Sequence, residues 1–446
     1  MDKYRVAITR YEKKLESVRK VIELSQAFKN LSSSTKVFVK PNIVYWSYTG
    51  DFAKWGMVTT SRVVEDTVAI LKEHGVDDIT IGEGITTQDP RDKETFRHAV
   101  ENLGYNSLNK RYGVKLVNIM DGPFEKVDLG DAIDLKFHAQ AIHSDLVVNL
   151  PVLKTHAQTV VSLGTKNLKG TINIPSRKKC HNPDPEKDLH YMISRIVRAF
   201  PRTATIVDGI YTLERGPIWA GIPHRKNILL ASFDMLSVDM VGAKILGHNP
   251  TDVAHLAHAA RDCGRPTDLS DIEVVGEKIE DVESYHEWRF PYVQNERGDV
   301  LPRALNRRGL KGLSLAESDD TLCTYCAGIS YLMTAAIAAS WQGEPWDDVE
   351  ILTGKVMNPT PGRKKTILLG QCMYNLHKDN PSIGEMIPVK GCPPKSEDVV
   401  SALHRAGIMA NPALIQNLDW YPEMLLKGYQ RAEVAAEFDE SFYRME

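Results

Sequence analysis

The chain has 446 residues, 42% hydrophobic and 25% charged, with a formal net charge of −3. That length exceeds one ordinary hydrophobic core and predicts two or three domains, while the charge balance excludes the broad basic footprint of a nucleic-acid binder. The longest apolar run, Ile329 to Trp341, is shorter than a bilayer span, and the first twenty residues lack the apolar core of a secretion signal, so the expectation is a cytoplasmic protein with neither membrane nor nucleic acid among its partners.

Taken in chain order, VRKVIELSQAF has the period of an amphipathic helix, and KVFVKPNIV is a short β-rich run ended by Pro41. Ser61 to His74 carries apolar residues at helical spacing and stops at Gly75. DDITIGEG predicts a second strand that ends in a glycine-bracketed acid, Glu83. A helix over Thr95 to Leu103, the strand VKLVNI and the continuous apolar strand SDLVVNLPVLKTH follow. TATIVDGI and KNILLASFD repeat the strand-then-glycine or strand-then-acid design, and Asp239 to Leu246 continues as helix. Strands apolar on both faces alternate with helices, which predicts a mainly parallel sheet flanked by helices, with ligands at the strand ends.

Residues 276–315, rich in Asp, Glu, Arg and Gly, read as a linker and packing arm between an α/β domain over 1–275 and a smaller C-terminal α/β domain over 316–410. That smaller domain is expected to bind a metal or cluster, and 411–446 reads as an aromatic, acidic wrapping arm.

The strand ends carry the candidate chemistry. Lys40 and Asn42 close the first clear strand, where a lysine suits an anionic ligand and an amide offers oriented contacts. Lys154 and His156 follow the long apolar strand, and Lys166, Asn167 and Lys169 come soon after. The lysines would neutralise phosphate or carboxylate groups, and His156 would move a proton near neutral pH. Glu83, Asp208, Asp234 and Asp239 serve either as ligand or base carboxylates or as turn and cap residues. The stretch Arg177 to His190 reads as a mobile loop, and Cys180 with His181 and His190 fits no common zinc spacing. His255 and His258 share a helix face beside Ala and Leu, which points to packing. Neither a Walker motif nor G-x-G-x-x-G is present, so a nucleotide fold with its usual fingerprint is unsupported.

Six cysteines without a secretion signal predict thiols rather than disulfides. Cys323 and Cys326 form a C-x-x-C before a helix, Cys372 follows the strand TILLGQ, and Cys392 sits in KGCPP. Four thiolates suit tetrahedral zinc or a [4Fe–4S] cluster, and dispersed single cysteines beside one chelating pair favour the cluster. A redox dithiol or plain buried thiols are the alternatives. The GCPP string is similar to a loop of hydrogenase small subunits and related iron–sulfur reductases.

Together the strings VKPNIV, IGEG, GY-x-x-L, DLVVNLPVLKTH, KNLKG, VDGI and SFD-x-x-x-VD resemble the uncharacterised family called domain of unknown function 362, over residues of about 35–275. The resemblance implies an association with iron–sulfur modules, commonly of ferredoxin type, yet the closely spaced ferredoxin cysteine run is missing and the four dispersed cysteines stand in its place. The strand-end Lys154 and His156 also look like the site of nickel-pincer lactate racemases, although the glycine-rich stretch after the racemase histidine is absent.

The leading expectation is an iron–sulfur oxidoreductase or cluster-dependent lyase. It would bind a small anionic substrate through Lys40, Lys154 and Lys169, transfer a proton through His156 and take an electron-transfer protein as partner. A racemase or epimerase, with zinc or a structural cluster, is the first alternative, and a non-catalytic electron carrier or metal-binding assembly protein is the second.

Overall fold

The computed structural model describes residues 3–87, 92–431 and 435–445. Two compact units emerge: Met1–Cys180 with His190–Arg289 and Leu425–Glu446, and His181–Leu189 with Phe290–Met424.

The strands of the first unit are β1 (Tyr4–Arg10), β2 (Lys36–Lys40), β3 (Asp78–Glu83), β4 (Lys115–Asn118), β5 (Phe124–Asp128), β6 (Asp134–His138), β7 (Leu146–Asn149), β8 (Val152–His156), β9 (Val160–Val161), β10 (Thr203–Glu214), β11 (Ile222–Ser232) and β12 (Ile272–Gly276). β5 and β6 form a hairpin, while the main sheet runs β12-β1-β11-β10-β7-β2-β3-β4, with β8 added to β10 and β9 to β8. From β4 to β10 the strands are parallel, as expected of their apolar runs. The other side is mixed: β11 is antiparallel to both β10 and β1, whereas β1 and β12 are parallel. The connection of residues 215–221 is too short for a parallel crossover, so TATIVDGI and KNILLASFD pair as a hairpin, and the sheet is mixed although most of its pairings are parallel.

SDLVVNLPVLKTH, expected as one strand, breaks at Leu150–Pro151 into β7 and β8. Proline has no N–H for the ladder. β7 pairs with β2 and the start of β10, and β8 resumes beside the later part of β10, with Val152 opposite Asp208. The break lets the same segment present Asn149 at one strand end and Lys154 and His156 at another. Helices Ser61–Glu73, Glu94–Asn102 and Met235–Ile245 lie where periodicity places them. Val6, Ile8, Leu153, Val207, Leu230 and Val241 pack in the core on one face of the sheet.

The second unit has a hairpin of β13 (Tyr292–Gln294) and β14 (Val300–Pro302) and a parallel sheet in the order β15 (Leu313–Leu315), β16 (Val349–Leu352), β17 (Lys365–Leu369), β18 (Glu385–Val389). Helices Thr324–Ser340 and Ser396–Arg405 contribute Ile329, Met333, Val399 and Leu403 to its core. The division falls after Arg289, and the segment expected as a linker holds the hairpin and β15. The C-terminal arm is shared: residues up to Met424 join the second unit and those from Leu425 the first. Among the described residues no helix is long and apolar enough to cross a membrane.

Candidate functional site

Because β2, β3 and β7 are parallel, their C-terminal ends deliver Lys40, Glu83 and Asn149 to one rim, with Lys40 and Asn149 directly in register. Lys40 Nζ lies 2.8 Å from Glu83 Oε1 and donates to Pro41 O at 2.7 Å. Glu83 also accepts the backbone N–H groups of Ile43 and Gly84, each at 2.7 Å. Burial holds the Lys40 ammonium below its ordinary range, Glu83 pulls it up, and Arg177 pushes it down further. Gly170 closes over this pair: an added Cβ would stand 2.8 Å from both Cε and Nζ of Lys40.

An amide ladder extends the network. Lys154 Nζ donates to Asn42 Oδ1 at 2.6 Å, to Met57 O at 2.8 Å and to Pro217 O at 3.3 Å. Asn42 Nδ2 donates to Asn167 Oδ1 at 3.1 Å, Asn167 Nδ2 to Asn149 Oδ1 at 2.8 Å, and Asn149 Nδ2 to Gly164 O at 3.0 Å. Burial brings Lys154 down to about 7, with Glu83 opposing and Lys40 reinforcing the shift. Three oxygen acceptors occupy all three ammonium protons, which favours the charged form. Asn149 was not singled out from sequence, where it is one polar residue inside an apolar run.

Next to this ladder, Lys166 Nζ lies 3.2 Å from His156 Nε2. His156 Nδ1 accepts the backbone N–H of Gln158 at 3.1 Å. A ring nitrogen that accepts carries no proton, so the neutral imidazole has its hydrogen on Nε2, facing the lysine. That hydrogen bond requires the lone pair of an uncharged Lys166 amine. Burial, together with the charges of Lys169 and Lys154, holds Lys166 well below its ordinary range and agrees with this assignment. The short turn that carries Lys166 is pinned by Asp239, whose two carboxylate oxygens accept Gly164 N and Thr165 N, each at 2.7 Å.

Lys169 is buried, and burial raises the Cys180 thiol while Lys169, Lys166 and Arg177 draw it down. Arg177, expected on a loop, lies in the helix Ile174–Cys180 and donates from Nε to Ile172 O at 3.0 Å and from Nη2 to Gly170 O at 2.7 Å. Asp208 is held apart from the lysines' hydrogen bonds, accepting Thr60 N at 2.7 Å and Ile210 N at 3.0 Å. Asp234 caps its helix by accepting Ser237 N at 2.8 Å.

In the second unit the four expected ligands all stand beyond strand ends. Cys323 precedes and Cys326 opens the helix Thr324–Ser340, Cys372 lies in the helix Gln371–His377 after β17, and Cys392 follows β18. Gly370 N donates to Val389 O at 2.8 Å and Gln371 N to Gly391 O at 2.9 Å, which ties the Cys372 and Cys392 segments together. An added Cβ on Gly370 would lie 3.3 Å from Cys326 Sγ. The hydrogen bond from Cys326 lowers the Cys323 thiol; the same bond, burial and the charges of Cys323, Cys392 and Cys372 raise Cys326. All six cysteines are free thiols, and among the described residues no three His, Cys, Asp or Glu side chains are grouped so as to hold a metal ion.

Residues 37–244 match the family model described as Domain of unknown function (DUF362). The DUF362 stretch contains Lys40, Glu83, Lys154, His156, Lys166, Asp208 and Asp239, and it ends before His255 and the four cysteines. The chain is 27% identical over 258 residues to the thylakoid-associated protein sll1697 of Synechocystis sp. (strain ATCC 27184 / PCC 6803 / Kazusa), which covers 57% of this chain and 76% of that protein. Among solved structures it is similar to the lactate racemase apoprotein from Thermoanaerobacterium thermosaccharolyticum, with a TM-score of 0.32 and 13% identity. That similarity spans 55% of this chain and 57% of the racemase, little more than half of either.

Proposed function

We propose that the chain is an enzyme that moves a proton on a small anionic substrate, with Lys166 and His156 as its acid–base pair. The observation that carries this reading is the 3.2 Å hydrogen bond between Lys166 Nζ and His156 Nε2. A buried neutral amine is a base, and the ammonium it becomes on taking a proton is the acid that returns one, with the neutral His156 ring beside it to hold the amine in place, so the pair is poised for the transfer. The neighbouring Lys169 and Lys154 supply a positive field for a carboxylate. Racemisation, epimerisation and elimination beside a carboxylate all require such a transfer.

The test is solvent deuterium exchange at the α-carbon of D-lactate, L-lactate and glycolate, followed by proton NMR on full-length, anaerobically purified protein. Exchange by the wild type that falls by about 100-fold or more in Lys166→Gln and His156→Asn supports the reading. Equal exchange in all three proteins sinks it.

A second reading is an iron–sulfur oxidoreductase, favoured by one specific observation: the Cys372 and Cys392 segments are tied together by the Gly370 N–Val389 O and Gln371 N–Gly391 O hydrogen bonds, and Cys326 Sγ lies 3.3 Å from where a Cβ on Gly370 would stand. Cys323, Cys326, Cys372 and Cys392 would hold a [4Fe–4S] cluster, which supplies an electron or a Lewis-acidic iron when bound. Four thiols are the donor type that a cluster or zinc takes, and all four stand beyond strand ends, Cys326 in the first turn of a helix whose N-terminus favours a thiolate. Iron, zinc and sulfide analysis of anaerobic protein decides between them. About four irons and four sulfides per chain, lost in Cys326→Ala, support the cluster, and one zinc per chain supports the alternative.

A further inference from the structure

Away from the strand-end lysines, a cavity of about 200 Å³ opens between the helix Ser61–Glu73 and the end of the chain, lined by Lys14, Arg62, Glu440, Ser441, Arg444 and Met445. All six residues belong to the first unit. Three cations thus face one acid, and that acid is already engaged, since Glu440 pairs with Lys54 at 3.3 Å. Lys14 is matched by Glu65 at 2.9 Å, a carboxylate that also takes Arg111. Asp66, one turn along the helix from Arg62, accepts Leu15 N at 2.8 Å. Neither Arg62 nor Arg444 forms an ion pair among the described residues.

Two guanidinium groups without a counter-charge repel each other at one concave surface, so the fold must hold them there. Arg62 Nη2 donates to Ser441 Oγ at 3.0 Å, and its guanidinium lies over the Phe442 ring, 4.8 Å from the centroid. Phe442 and Tyr443 are buried. Tyr211 OH donates to Glu437 O at 3.1 Å and accepts the N–H of Asp439 at 3.0 Å. Beyond Arg444, an added Cβ on Gly104 would stand 2.8 Å from Cβ and 2.9 Å from N of Met445. The chain is therefore anchored on both sides of Arg444, and a ligand would have little of the cavity left to order.

A guanidinium presents a fork of N–H donors that matches the oxygens of an anion. Two such forks with the Ser441 hydroxyl beside them suit a group with a charge of about −2 and three acceptor oxygens, a phosphate monoester rather than a single carboxylate. The volume lies below the roughly 300–1,000 Å³ of sites that enclose a whole drug-sized ligand, so it admits the phosphate group and leaves the rest of the molecule outside. We propose that this cavity binds the phosphate group of a small phosphate monoester, with Arg62 and Arg444 as its two anchors. It is a second site, independent of the proton-transfer reading of Lys166 and His156.

The experiment is titration calorimetry of the full-length chain with inorganic phosphate and phenyl phosphate, against acetate at the same ionic strength. Wild type, Arg62→Gln and Arg444→Gln are compared, with Lys166→Met as the variant that alters the strand-end rim. Both phosphates should bind wild type and Lys166→Met alike, acetate should bind about tenfold more weakly or worse, and each arginine variant should lose about tenfold or more in phosphate affinity. Arg444 is exposed, so Arg444→Gln should keep the wild-type thermal midpoint without phosphate, which separates lost binding from lost fold. Phosphate bound equally by wild type and Arg444→Gln, or lost in Lys166→Met instead, overturns the proposal, because the anion then sits elsewhere. Acetate bound as tightly as phosphate, or no binding of either phosphate to wild type, overturns it too. A lowered midpoint of Arg444→Gln without phosphate does the same, since the arginine would then be a fastener of the C-terminal segment.

Discussion

Lys40 and Glu83 face each other at 2.8 Å from the ends of neighbouring parallel strands, with side chains that are 1% and 5% exposed. In that interior the pair survives because each group has further partners: Lys40 also reaches Pro41 O, and Glu83 also takes two backbone N–H groups. Removing one partner strands the other charge. Lys40→Met and Glu83→Gln should each cost about 3–5 kcal/mol, read from urea unfolding. The double variant Lys40→Met/Glu83→Leu should cost clearly less than the sum, and additive losses would show that the two charges do not act as a pair.

Close backbone approach makes a second prediction. An added Cβ on Gly84 would stand 2.4 Å from Arg177 Nη2, 2.5 Å from Met120 Cε and 2.8 Å from Gly170 O. The last is a backbone atom and cannot rotate away. Gly84→Ala should therefore destabilise the fold by about 1–3 kcal/mol, whereas Gly113→Ala, which meets nothing within 4 Å but lies at φ 67°, should show only the smaller penalty of a left-handed residue, about 1 kcal/mol. Equal losses would argue that the Arg177 segment yields to Gly84.

Much of this was legible because apolar runs and strand-end polar residues are local signals. KVFVK, DITIGE and KTILL became the strands they resembled, and Lys40, Asn42, Glu83, Lys154, His156, Lys166 and Asn167 came together on one rim. What was not legible depends on partners distant in sequence. The first strand YRVAITR is recognisable by its pairing with β11 and β12, more than two hundred residues away. Asp239 resembles any helix acid until its carboxylate is seen to receive the Gly164 and Thr165 N–H groups.

Asp208 gives a pH-dependent prediction. Burial raises its carboxyl from 3.8 to about 6, although the N–H groups of Thr60 and Ile210 pull the other way. A group with a raised folded pKa binds its proton more tightly in the folded state. Its stabilising contribution is complete below pH 3.8 and is lost as pH rises through about 6. The loss from this residue should be about 3 kcal/mol. Denaturation midpoints of wild type and Asp208→Asn, compared across that window, should converge or cross as pH rises, and parallel curves would show that Asp208 is not the titrating group.

Lys166 titrates with the opposite sign. Its folded pKa lies well below 10.5 because of burial and the charges of Lys169 and Lys154. The folded chain therefore gives up a proton that the unfolded chain keeps, and stability rises with pH until the ordinary lysine range is passed. Lys166→Met should be the more stable protein near neutral pH, with a flatter dependence above it. Lys166→Arg removes the basicity: the guanidinium stays protonated and cannot take a proton. In the proton-exchange assay Lys166→Arg should hold KM within a few fold and lose about 100-fold to 10,000-fold in kcat. An arginine variant with unchanged kcat would mean that the group facing His156 takes no proton from the substrate.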